Sequence, residues 1–157
     1  MRVLVSACLL GEPVRYNGEI IHVEHPVLAR WRREGRMVAV CPEVEAGFGV
    51  PRPPAEIRGG AVVNPAGLDL TGRFKAGAER ALRLAREHGA QIAVLKERSP
   101  SCGVRLVHDG SFSGRVVAGS GITAALLREN GVAVFSENEI DQADFLLQIL
   151  EAANLGE

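Results

Sequence analysis

At 157 residues with 46% hydrophobic side chains, the chain has the size and apolar content of one compact domain spanning residues 1–157, with a substantial core. Its 18 basic and 19 acidic side chains leave a formal net charge of −1, which removes the electrostatic basis for a nucleic-acid groove and points to a small ligand. No apolar run reaches the roughly 18 residues of a membrane helix and no signal-peptide core follows Met1, so a cytoplasmic protein with reduced thiols is expected.

Arg2–Ser6 is apolar and rich in β-branched residues, as a buried first strand requires, and it runs into a loop marked by Gly11, Pro13 and Gly18. His25–Gly35 reads as a helix: Pro26 suits its first turn, Val27, Leu28 and Trp31 share a face, and Gly35 stops it. The arginines of that segment, Arg30, Arg32, Arg33 and Arg36, are read as a solvated face. Met37–Val40 is the second strand. From Cys41 to Gly60 four prolines and four glycines predict a long stiff loop without regular structure, and loops of that length in compact domains tend to be functional.

Thr71 opens a helical pattern, with Phe74, Ala78, Ala81, Leu82 and Ala85 on one face and Gly89 as its end. Ile92–Leu95 is a third strand, feeding Lys96-Glu-Arg-Ser-Pro-Ser-Cys-Gly103. The short runs Arg105–Val107 and Val116–Val117 are candidates for a local pairing. Gly119–Thr123 could receive an anion at a helix entry, but capping by Ser120 or Thr123 is the preferred reading. A helix over Ile122–Glu129, a fourth strand over Val132–Phe135 and an amphipathic helix over Glu139–Ala153 complete the chain. Alternating strands and helices predict an α/β fold: a three-layer, Rossmann-like domain with a mostly parallel sheet.

The three cysteines, Cys8, Cys41 and Cys102, are separated by 33 and 61 positions, so no local zinc-finger or Cys-x-x-Cys pattern exists. Each nevertheless follows a predicted strand, and parallel strands deliver their ends to the edge where ligands bind. Cysteine is often a small core residue, but Pro42 and Glu43 after Cys41, and Pro100 and Gly103 around Cys102, build rigid polar turns that a core position does not need. An odd thiol count at one edge suggests a metal or cluster with one position left free.

The phrases Ser6-Ala-Cys-Leu-Leu-Gly11, Arg15-Tyr-Asn-Gly18, Cys41-Pro-Glu43, Pro51-Arg-Pro-Pro-Ala-Glu-Ile57, Lys96-Glu-Arg-Ser-Pro-Ser-Cys-Gly103 and Gly121-Ile-Thr-Ala-Ala-Leu-Leu127 resemble a bacterial family long catalogued as a domain of unknown function. Its characterised members are thiouracil desulfurases, and the six phrases run in order over nearly the whole chain. The resemblance implies a [4Fe-4S] cluster held by Cys8, Cys41 and Cys102, with one iron lacking a protein ligand. That iron, a soft Lewis acid, would take the thiocarbonyl sulfur of a thiolated pyrimidine while water attacks the carbon. Sulfide and the oxo base are released without net redox change.

The reaction needs a carboxylate to activate water and a hydroxyl to relay protons or fix the substrate. Glu43, two residues after a cluster cysteine, is the expected carboxylate. The hydroxyl is Ser101, which adjoins Cys102, or Ser99, since successive side chains of an extended segment diverge; Ser101 is preferred. Arg52, between two prolines, would orient a substrate carbonyl or bridge Glu56. Tyr16 could stack on a pyrimidine or act as a packing lid, and Ser6 could cap the first loop or touch the cluster's surroundings. Glu97 is expected to pair with Lys96, Arg98 or Arg52, and the four histidines are not proposed as ligands.

The chain departs from the family pattern at Asn17, where many members carry aspartate, and at Val14, where some carry cysteine. Relatives acting on thiolated tRNA have a further C-terminal domain, so a free thiolated nucleobase or nucleotide is the expected substrate. Two alternatives stand beside this reading: a non-catalytic iron–sulfur or zinc module with Glu43 as fourth ligand, and a thiol-based redox or sulfur-carrier protein.

Overall fold

The computed structural model describes residues 1–155. In chain order its elements are β1 (Val3–Ser6), a 3-10 turn (Ala7–Leu10), α1 (Pro26–Arg33), β2 (Met37–Val40), the one-turn α2 (Pro42–Glu45), β3 (Glu56–Arg58), β4 (Ala61–Val63), α3 (Thr71–Glu87), β5 (Ile92–Leu95), β6 (Leu106–His108), β7 (Val116–Ala118), α4 (Ile122–Glu129), β8 (Ala133–Ser136) and α5 (Ile140–Leu155).

Four strands form a wholly parallel sheet in the order β2-β1-β5-β8. The two central strands, β1 and β5, are buried on both faces, which is why they read as unbroken apolar runs. Successive side chains serve opposite layers. Val3 and Val5 pack with Val27, Leu28 and Trp31 of α1 and with Ile140, Ala143 and Leu147 of α5. Leu4, Val38 and Val40 pack on the other face with Ala81, Leu82 and Ala85 of α3 and with Ala124 and Leu127 of α4. The result is the three-layer α/β architecture expected from the alternation of elements. Between α1 and α5, Asp144 accepts the Trp31 indole N–H at 3.2 Å and pairs with Arg30.

Residues 41–60 depart from the expectation of an irregular loop, because they contain α2 and β3. Between them residues 46–55 are irregular, as expected, and hold Gly47, Gly49, Pro51, Pro53 and Pro54. Pro42 occupies the first helical position, where no N–H donor is needed, and Gly59-Gly60 turn β3 into β4, with which it pairs antiparallel. The predicted local pairing of the 105–107 and 116–117 runs is present as the antiparallel β6–β7 hairpin. The capping expectation at α4 is corrected. Gly121 stands at the N-cap without a side-chain bond, and the first N–H groups of the helix are taken by carbonyls of the preceding cysteine loop: Ile122 by Pro100 at 2.9 Å, and Thr123 and Ala124 by Ser101 at 2.8 and 3.2 Å.

Candidate active site

The strand order places β2 and β5 on opposite sides of β1, so the chain switches direction of travel across the sheet between β1 and β5. A crevice opens outside the carboxyl ends at such a point. Cys8 lies in the 3-10 turn that follows β1, Cys41 directly follows β2 and caps α2, and Cys102 lies in the loop leaving β5. All three border one cavity of about 590 Å³, whose wall also includes Glu43, Arg52 and Ser99.

Each cysteine loop is held by a different device. The Cys41 turn is pressed against α3 at Gly77, where a Cβ would lie 2.3 Å from the Pro42 carbonyl oxygen; only glycine permits that approach. The Cys102 loop wraps a buried carboxylate. Glu97 Oε1 accepts the backbone N–H of Val104 at 2.6 Å, Arg105 at 2.9 Å and Leu106 at 3.0 Å, with a longer bond from Arg98 at 3.4 Å. The same loop supplies the carbonyls that cap α4, so its two flanks are tied to a glutamate and to a helix end. The Cys8 turn is joined to the β5 exit by Ser6, whose hydroxyl accepts the Lys96 N–H at 3.0 Å.

Cys102 is buried, Cys8 and Cys41 are half-buried, and all three thiols are free. Burial pushes each of them up from its ordinary range, Cys8 to about 11 with help from neighbouring Cys41. An activated nucleophilic cysteine needs the opposite shift. Thiols of this kind ionise when a metal takes the place of the proton. Among the described residues, no three His, Cys, Asp or Glu side chains are grouped so that they could hold a metal ion. Cys8, Cys41 and Cys102 all border the same cavity, and thiolates are the ligands that iron–sulfur clusters take.

Glu43 faces this cavity beside Arg52. The Arg52 Nη2 contacts Glu43 Oε2 at 3.3 Å and donates to the Val14 carbonyl at 2.9 Å, while Nη1 donates to Gly49 at 3.1 Å. Arg52 thus holds Glu43 rather than Glu56, which corrects that part of the expectation. Its Nε–H is buried and has no acceptor among the described residues.

The two serines separate clearly. Ser99 borders the cavity, and its oxygen accepts the N–H of both Ser101 and Cys102 at 3.1 Å, leaving its own proton free to donate. Ser101 does not border the cavity; it is 1% exposed and its hydroxyl has no partner among the described residues. Tyr16 stands on the cavity wall with its ring partly exposed, and its carbonyl accepts the Arg52 N–H at 2.6 Å. Glu97 pairs with none of Lys96, Arg98 or Arg52: Lys96 bonds Glu137 at 2.8 Å, and the Glu97 carboxylate is given to backbone N–H groups instead. Burial raises its pKa, but those donors outweigh burial and hold it below the usual carboxylate range. Glu56, His108 and Phe112 also line the cavity and were not singled out as site residues from the sequence. Nothing local marks them, because they come from the β3–β4 and β6–β7 excursions.

An open parallel sheet with one buried and two half-buried thiols bordering a cavity at its switch point, and a carboxylate–guanidinium pair on the same wall, has the make-up of an enzyme site. The chain belongs to the 2-thiouracil desulfurase family, whose profile matches residues 3–139. It is similar to the solved structure of TudS, a [4Fe-4S]-dependent thiouracil desulfidase, with a TM-score of 0.92 and 47% identity over 94% of this chain and 98% of that one. It is also 42% identical to the uncharacterized protein YbbK of Bacillus subtilis (strain 168), across 88% of this chain and 97% of that protein.

Proposed function

We infer that this protein is an iron–sulfur-dependent desulfurase that replaces the thiocarbonyl sulfur of thiouracil, or of a related thiolated base or nucleotide, with oxygen from water. The carrying observation is that Cys8, Cys41 and Cys102, from three separate strand ends, border one cavity with Glu43 and Ser99. The overall reaction converts C=S and water into C=O and hydrogen sulfide, so it needs no external reductant or oxidant. Bound to the three thiolates, a [4Fe-4S] cluster supplies a soft Lewis acid at the iron that the protein leaves without a ligand.

The remaining work falls to side chains. Glu43 takes the proton of the attacking water, and Arg52 fixes which way that carboxylate faces. Ser99, with both acceptor sites used by backbone N–H groups, presents its proton to the cavity and can give it to the departing sulfur or to a ring heteroatom. Tyr16 closes the outer side, and Ser6 keeps the Cys8 and Cys102 loops in register. In this reading the chain works as one domain, on a small molecule rather than a nucleic acid, in the reducing cytoplasm. No helix among the described residues is long and apolar enough to cross a membrane.

The deciding experiment is anaerobic reconstitution with iron and sulfide, followed by sulfide release from 2-thiouracil. The reconstituted wild type releases sulfide and uracil in equal amounts. Glu43→Gln keeps its iron but loses about 10²- to 10⁴-fold in kcat, the range for a positioned proton-transfer group. A Glu43→Gln protein at full rate would remove Glu43 from the mechanism, and an iron-loaded wild type without sulfide release would end the desulfurase reading.

A further inference from the structure

The tip of the β6–β7 hairpin carries a side chain for which the chemistry above has no use. Phe112 lines the cavity with a backbone φ of 57°, in the left-handed region that bulky residues seldom occupy. Such a conformation persists only where the surroundings over-determine it. Here they do. Glu56, buried on β3, accepts the N–H of Gly110 at 3.0 Å and of Phe112 at 3.1 Å through one oxygen. Arg58, two residues along the same strand, donates from Nε and Nη2 to the Gly110 carbonyl at 3.0 and 2.5 Å. The tip sits so close to β3 that a Cβ on Gly110 would lie 2.8 Å from the Ile57 carbonyl oxygen.

Core packing does not account for this arrangement. Phe112 belongs to neither hydrophobic cluster of the sheet and is flanked by the exposed Ser111 and Ser113. The other aromatic side chains are employed elsewhere or turned outward: Trp31 and Phe135 pack in the α1–α5 layer, Phe48 stacks on Phe74 at 5.3 Å, and Phe145 is exposed. Among the described Phe, Tyr and Trp side chains, Tyr16 and Phe112 border the cavity, together with the His108 imidazole. The polar groups on its wall, Glu43, Ser99 and Arg52, can fix the substituents of a flat ring but not the plane in which it lies. A cavity of this size fits small molecules generally, so the ring plane needs its own contact.

We propose that Phe112 is a specificity-determining residue, the wall on which the face of the substrate's pyrimidine ring stacks, and that Glu56 is the positioning residue that aims it. The proposal rests on the desulfurase reading for the identity of the ring. A strained aromatic held by a buried carboxylate is pre-organised, so stacking costs no ordering of the hairpin when the base arrives.

The test compares wild type, Phe112→Ala, Phe112→Leu and Phe112→Tyr at matched iron content. Two quantities are read: steady-state sulfide release from 2-thiouracil, and equilibrium dialysis of uracil, the oxo product, as a probe that does not react. Phe112→Ala raises both KM and the uracil Kd about tenfold, the scale of one lost base–aromatic stack, with kcat within about twofold. Phe112→Tyr restores both, while Phe112→Leu, apolar without a π face, stays with the alanine variant. If Glu56 acts through Phe112, Glu56→Ala with Phe112→Ala shows the KM of the phenylalanine variant alone rather than the product of two effects.

Unchanged KM and Kd in Phe112→Ala, full recovery by leucine, or a loss confined to iron content would each overturn the proposal. Multiplicative effects in the double variant would remove Glu56 as its positioning residue. Should the iron-loaded wild type release no sulfide, the desulfurase reading fails on its own, and the uracil dialysis still decides whether Phe112 faces a pyrimidine.

Discussion

Truncating Glu97 to alanine should unlatch the loop that carries Ser99 and Cys102. Its Oε1 is the acceptor for the N–H groups of Val104, Arg105 and Leu106 at 2.6, 2.9 and 3.0 Å, so the alanine variant strands three backbone donors at once. A buried donor left unmade costs about 1–3 kcal/mol. Val104 is buried while the Arg105 and Leu106 positions are nearer solvent, where water replaces part of the loss, so the sum is on the order of 3–4 kcal/mol. Against a typical domain stability of about 5–15 kcal/mol, the variant still folds but with a much smaller margin. Glu97→Gln keeps a carbonyl acceptor and loses the charge, costing about 1–2 kcal/mol.

Equilibrium urea unfolding measures both variants, and hydrogen exchange at residues 104–106 locates the change. The pH dependence adds a sign. Burial pushes the Glu97 carboxyl up, but the backbone donors bring it below its ordinary value. An unfolded chain therefore takes up this proton more readily. The contribution is complete above the usual glutamate range of about 4.3 and is lost as pH falls through that range toward the lower folded value. Glu97→Gln removes that part of the acid slope. Stability within about 1 kcal/mol of wild type for the alanine variant, with the three amides still protected, would refute the latch.

Three further outcomes follow from the same geometry. Ser99→Ala lowers kcat by about 10²-fold with iron retained, whereas Ser101→Ala, which removes a buried hydroxyl without a partner among the described residues, changes kcat by less than about threefold; sulfide-release kinetics on both proteins separate them, and the reverse order would restore Ser101 as the acting serine. Gly77→Ala drives a methyl group into the Pro42 carbonyl, costs about 1–3 kcal/mol and loosens Cys41, read as faster iron loss to a chelator; wild-type iron retention would show that the turn gives way harmlessly. Asp144→Ala strips partners from Trp31 and Arg30 on the far side of the sheet and costs about 2–3 kcal/mol in urea unfolding, with KM and iron content unchanged because no loop of the cavity touches it.

The amino-acid sequence by itself determined the four parallel strands, the main helices and the placement of Cys8, Cys41 and Cys102 just beyond strand ends. Those features are written in local periodicity: a buried parallel strand is a short apolar run, an amphipathic helix repeats every third or fourth residue, and a turn needs its glycine or proline nearby. Within residues 41–60 the loop reading failed at Pro42 for the same reason, since composition averaged over 20 positions hides that this proline starts a helical turn, while Pro51, Pro53 and Pro54 lie in irregular backbone as expected. Tertiary structure alone decided which side chains meet. Arg52 reaches Glu43 across nine residues, and Glu56 grips a hairpin tip 54 and 56 residues away. Ser99 borders the cavity while Ser101 is buried away from it, its carbonyl spent on the first turn of α4. Such pairings depend on how two excursions from the sheet fold back over its edge, and no repeat or spacing along the chain encodes that distance.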